Sequence, residues 1–120
     1  MTWLAVFVAG GLGAVCRVAM TGWLPMRGFP WGTLAVNLLG CLVIGALFEV
    51  FEDHHIEPQV RIAVVGGFLG GFTTFSAFGL ECWGLATDGH WGLAAGYAVA
   101  SLLLGVLGVA LGVGAARALT

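Results

Sequence analysis

The sequence predicts an all-α membrane protein of four transmembrane helices, the third of them broken, and three observations carry this. Hydrophobic residues make up 60% of the 120 positions and charged residues 8%, with a mean hydropathy of +1.05. That is too apolar for a domain that must dissolve in water. Four apolar runs, at 2–20, 32–51, 62–83 and 91–116, are each long enough to cross a bilayer at about 1.5 Å per residue. Finally, the third run contains GGFLGGFTTFSAF at 66–78, where a purely spanning helix would use leucine. The whole of 1–120 reads as one membrane domain.

Span one opens with Trp3 and has no Lys or Arg ahead of it. It therefore reads as a retained span, with a cleaved signal peptide as the weaker alternative. Arg17 stands at its far end, either snorkelling to the interface or placing a positive charge in a vestibule where it would concentrate anions. Span two places Asn37 a few residues into the apolar run, where an unpaired amide is costly. It should face a partner helix or a passage. Glu49 sits near the end of this span, and the acidic loop that follows, with Glu52, Asp53, His54, His55 and Glu57, reads as solvated rather than metal-binding.

Span three carries the most informative residues. Gly66 with Gly67 and Gly70 with Gly71 weaken the helix, and Thr73, Thr74 and Ser76 then supply hydroxyls. One reading is packing alone, since both glycine spacings are small-xxx-small. The other is a broken span, which is tolerated at membrane depth only where the freed backbone is buried or lines a cavity. Phe68, Phe72 and Phe75 sit at i, i+4 and i+7, and Phe78 follows three residues on, so several phenyl rings are expected on or near one face. Glu81 lies near the end of this span; it and Glu49 could reach water, pair with Arg17, or serve as a proton or cation site. In span four, Tyr97 and Ser101 are one turn apart and, with Thr74 and Ser76, would form a polar track. Gly105, Gly108 and Gly112 read as helix contact surface.

All five tryptophans, Trp3, Trp23, Trp31, Trp83 and Trp91, fall at or just outside the span ends, as headgroup-level aromatic belts do. The four arginines divide evenly: Arg61 and Arg117 on one side, Arg17 and Arg27 on the other. Balanced charge gives no orientation preference and allows dual topology, with opposite copies meeting as an antiparallel homodimer. N-terminal insertion fixing a single topology is the alternative. Four short, glycine-rich helices also enclose too little volume for a pathway alone, which again favours an oligomer. Cys16, Cys41 and Cys82 have no ligand spacing and read as packed thiols. No nucleotide motif, nucleophile with base or catalytic carboxylate pair is present, so the chain reads as no enzyme, and no basic patch offers a nucleic-acid surface.

GGFLGGFTTFSAF, together with GTLAVNLLG at 32–40 and GGLGAVCR at 10–17, resembles the CrcB/Fluc family of fluoride channels across essentially the whole chain. The resemblance implies an antiparallel dual-topology homodimer in the cell inner (plasma) membrane, with two pores that export fluoride passively from the cytoplasm. It implies that Phe75 and Phe78 present ring edges to the ion, that Asn37 donates in the pore, and that Ser76 and Thr74 with Tyr97 and Ser101 fit the polar track. Arg17 and Glu81 would belong to the aqueous mouth. A structural sodium ion would sit at the dimer centre on the backbone carbonyls of Gly70 and Thr73 from both chains. The chain departs from the family pattern at Gly105, where relatives often carry a hydroxyl, and at Ala77, where threonine is common. Two other readings compete: a proton-coupled small-cation multidrug exporter of similar size and topology, which needs an embedded carboxylate that span one lacks, and a non-transporting assembly subunit.

Overall fold

The computed structural model describes every residue except Pro25. Among the described residues the chain is helical, with four helices long and apolar enough to span a membrane. Helix α1 covers Thr2–Trp23 and α2 covers Trp31–Asp53. The third span, Pro58–Thr87, is composite. It opens as α3 (Pro58–Arg61), passes into a π-helical stretch (Ile62–Leu69) and closes its first half as α4 (Gly70–Phe72). Its second half is α5 (Phe75–Thr87), and α6 (Trp91–Leu119) completes the chain. The longest dimension, 49 Å, exceeds by a few ångströms a bilayer with its headgroup layers, about 40–45 Å.

Each helix runs a few residues past the apolar run that announced it. Pro58 starts the third span because a proline at the first helical position gives up only an N–H that would be unpaired there. The extension of α1 to Trp23 leaves Arg17 six residues inside the helix, about 9 Å from its end. Trp23, Trp31 and Trp91 lie at helix termini, and all five tryptophans are exposed on the single chain.

The packing forms two close helix pairs. Helix α1 lies along the first half of the third span, and α2 lies along α6. A Cβ at Gly13 would come within 2.9 Å of the Phe72 nitrogen, and one at Gly71 within 3.1 Å of the Ala14 nitrogen. Across the other pair, a Cβ at Gly112 would come within 2.8 Å of the Ala46 nitrogen. Both pairs therefore touch backbone to backbone, as small-residue membrane interfaces do. Val6, Ala9, Gly10, Gly13, Ala14 and Arg17 form the shielded stripe of α1, at helical spacing, while Leu4, Phe7, Leu12, Val15 and Val18 point outward. Cys16 falls on that outward face and is exposed, so it is not a packed thiol; Cys41 and Cys82 are half-buried, and all three are free. Leu34, Leu85, Ala86, Ala94 and Tyr97 make the core between α2, α5 and α6, with Phe29, Leu38, Phe78 and Cys82 packed around it.

Candidate functional site

Between α4 and α5 the backbone leaves helical dihedrals. Thr73 has φ −84°, ψ 160° and Thr74 has φ −152°, ψ 117°, both extended. Tracing each polar group here shows how the segment is held. The Thr73 N–H and hydroxyl both donate to the Leu69 carbonyl, each at 2.9 Å. The Thr74 N–H, which in a continuous helix would bond the Gly70 carbonyl, donates instead to Asn37 Oδ1 at 2.8 Å. Asn37 Nδ2 donates back to the Thr74 carbonyl at 3.0 Å. The Ala77 N–H, whose helical acceptor would be the Thr73 carbonyl, donates to the Thr74 hydroxyl at 3.2 Å, making Thr74 the N-cap of α5. The carbonyls of Gly70 and Thr73 are thus released from helical pairing. Carbonyl oxygens freed in this way suit a hard cation, so the donor set fits sodium.

Most of these residues line an open cleft of about 620 Å³ walled by α2, the third span and α6. Asn37, Gly70, Thr73, Thr74, Phe75, Phe78 and Ser101 all contribute to its walls, and so does Gly105. Phe75 is 83% exposed, and its ring lies 5.5 Å from that of Phe78 at 42°. Phe78 meets Tyr97 edge to face at 5.0 Å, and Tyr97 meets Phe29 in the same way at 5.2 Å. The four phenylalanines of the third span do not share a face. Phe68 stacks on Phe72 at 6.0 Å, and Phe75 pairs separately with Phe78. Two extended residues between Phe72 and Phe75 cancel the 100° per residue that would have aligned them.

The hydroxyl-bearing residues divide into two groups. Ser76 is exposed, with its hydroxyl 3.3 Å from that of Thr74, and Ser101 lies on the cleft wall. Tyr97, fully buried, turns its hydroxyl away from them and donates to Glu81 Oε2 at 2.8 Å. Thr33 donates to the other oxygen, Oε1, at 2.6 Å. Glu81 is therefore held by two hydroxyls, and Glu49 pairs with Arg117 at 2.8 Å. Neither carboxylate pairs with Arg17, whose Nε donates to the Gly71 carbonyl at 3.0 Å.

Sequence reasoning missed Thr33 and Phe29. Thr33 lies one turn before Asn37 on the same face of α2, and that spacing was the available signal; Phe29, in a loop, gave none.

The CrcB-like (camphor resistance) family model matches residues 4–113. The chain belongs to this family. Similar proteins include one from Bordetella petrii that is 43% identical over 120 residues, covering 99% of this chain and 94% of the relative. Another, from Phocaeicola vulgatus, is 41% identical over 113 residues, covering 92% and 93%. A third, from Roseiflexus, is 38% identical over 123 residues and covers 99% of both. Each of these three proteins is named a fluoride-specific ion channel, FluC.

Proposed function

We propose that the chain is a fluoride-specific ion channel, not an enzyme, working as a multi-pass membrane protein. Kinship with the CrcB-like channels supports this, and so does one feature of its own geometry. Two phenyl rings and an asparagine amide meet in one cleft, beside backbone that has left the helix. Fluoride is small and strongly hydrated, and a dry path must replace its water with donors. Phenyl edges carry the positive part of the ring quadrupole. Asn37 Nδ2 has two N–H groups; one holds Thr74, and an anion in the cleft would take the other. Rings, amides and hydroxyls bind more loosely than a buried guanidinium would, which lets the ion leave again.

The finer reading is an antiparallel, dual-topology homodimer in the cell inner membrane that lets fluoride leave the cytoplasm passively. The even division of arginines supports dual topology. Exposed Phe75 and the extended backbone at Thr73 and Thr74 support a covering partner, since non-helical backbone at membrane depth needs protein or a water-filled cavity beside it. In that dimer, Gly70 and Thr73 of both chains would hold a structural sodium ion through their backbone carbonyls. Bound there, sodium would supply positive charge that ties the two chains together. Phe75, Phe78, Asn37, Ser76 and Thr74 would line the pore, with Ser101 and Tyr97 extending it, while Arg17 and Glu81 would lie at its mouth.

The exporter reading is weaker on two observations. No carboxylate lines the cleft among the described residues, and Glu49 and Glu81 are both engaged elsewhere. The deciding experiment is efflux from liposomes containing the purified protein. Fluoride should leave and chloride should stay; equal flux of the two ions, or none of either, removes the assignment.

A further inference from the structure

We infer that Arg17 is a positioning residue that closes off the end of α4 through its Nε–H, in addition to any field its charge exerts. This rests on the channel reading above. Gly71 is the second-last residue of α4, so its carbonyl is among those a helix end leaves without a donor. In a continuous span it would accept from the N–H of Phe75, but the extended dihedrals of Thr73 and Thr74 move that donor away. Arg17 Nε supplies the replacement at 3.0 Å from 54 positions away in sequence. A cation is also the favoured partner at a helix C-terminus.

The register of α1 makes this bond specific. Gly10, Ala14 and Arg17 lie at i, i+4 and i+7 on one face, and a Cβ at Gly71 would meet the Gly10 and Ala14 backbone. Arg17 therefore emerges one turn beyond the point where the two backbones touch. Successive residues along a helix stand about 100° apart around its axis. Holding Gly71 against α1 thus leaves Gly70 on another side of the helix, and Gly70 lines the cleft where Gly71 does not. Arg17 acts on the path through the backbone of the third span, without touching the cleft.

Two substitutions separate the donor from the charge. The Nε2 of glutamine stands at the same chain position as arginine Nε, so Arg17→Gln keeps an N–H for Gly71 and loses the charge. Arg17→Lys keeps the charge but has a methylene at that position. Each variant is purified, its thermal unfolding and elution volume are measured, and fluoride efflux is recorded at low and high ionic strength. The inference expects Arg17→Gln to elute and unfold like wild type, with any loss of flux confined to low salt, where the field of the missing charge is unscreened, and flux within about threefold of wild type at high salt. It expects Arg17→Lys to unfold at lower temperature or to lose at least about tenfold in flux, the scale of one charge-assisted hydrogen bond. An Arg17→Gln variant that fails to fold, or that fails to conduct at high salt, overturns it, as does an Arg17→Lys variant matching wild type in both readouts. Silence of wild type itself toward fluoride would instead count against the channel assignment, and the unfolding comparison would still decide the positioning role.

Discussion

Asn37 and Thr74 are joined by a reciprocal pair of hydrogen bonds, N–H to Oδ1 at 2.8 Å and Nδ2 to carbonyl at 3.0 Å. An asparagine side chain here does what a neighbouring strand would do: it satisfies both polar groups of one extended residue inside a helical membrane protein. The clamp is what allows Thr74 to leave the helix without leaving backbone groups unpaired.

Replacing Asn37 by Ala should therefore damage structure and flux together. Two backbone groups lose partners, each worth about 1–3 kcal/mol when left unsatisfied away from water, and the donor facing the cleft disappears. Fluoride efflux should fall at least about tenfold, and unfolding in detergent should occur at lower temperature. Wild-type values in both assays would contradict the clamp.

Phe75 and Phe78 should separate. Phe75 is exposed on the single chain, whereas Phe78 packs on Tyr97. Phe75→Ile should reduce fluoride efflux sharply and lower the unfolding temperature less than Phe78→Ile, since Phe75 meets one aromatic ring within the chain and Phe78 meets two. Phe78→Ile should lower both, because an aromatic pair is worth about 0.5–1.5 kcal/mol beyond its buried area. Undiminished efflux in either variant would count against the ring-edge account.

The glycines divide by what surrounds them. Gly13→Ala would press against the Phe68 and Phe72 backbone and should destabilise by about 1–3 kcal/mol, as overpacking does. Gly11→Ala and Gly114→Ala, with open space around them, should be neutral or slightly stabilising. Thermal unfolding of the three proteins checks this; equal midpoints would refute the backbone contact between α1 and the third span.

Thr33, Glu81 and Tyr97 form one hydrogen-bonded unit. Thr33→Val and Tyr97→Phe each remove one donor from the same carboxylate, so their effects on flux and stability should be non-additive, with a coupling of about 0.5–3 kcal/mol. A double-mutant cycle on unfolding free energy measures it. Strict additivity would mean the three do not act together.

Much of this was legible in the sequence, for identifiable reasons. Hydropathy and the tryptophans bracketed the spans because the bilayer imposes a length and an interface chemistry on every crossing. The glycine pairs followed by Thr73 and Thr74 marked where helical dihedrals end. The partners that complete the site were harder to read, because they depend on tertiary placement. That Arg17 reaches Gly71, that Tyr97 turns towards Glu81, and that Phe29 closes the aromatic row all depend on how α1 and α6 settle on the third span. The shared face expected for several phenylalanines gives way to two separate pairs, because the expectation assumes one unbroken period. Cys16 was misjudged because on a membrane helix an outward apolar position is as favourable as an inward one.

The most direct measurement is an experimental structure of the purified protein in lipid, grown with fluoride and sodium. The account predicts two subunits inserted in opposite directions, third spans meeting at Gly70 and Thr73 around a cation, and anion density beside Phe75, Phe78 and Asn37. Parallel subunits, a continuous third helix through Thr73 and Thr74, or water with long contacts between the four carbonyls would contradict it.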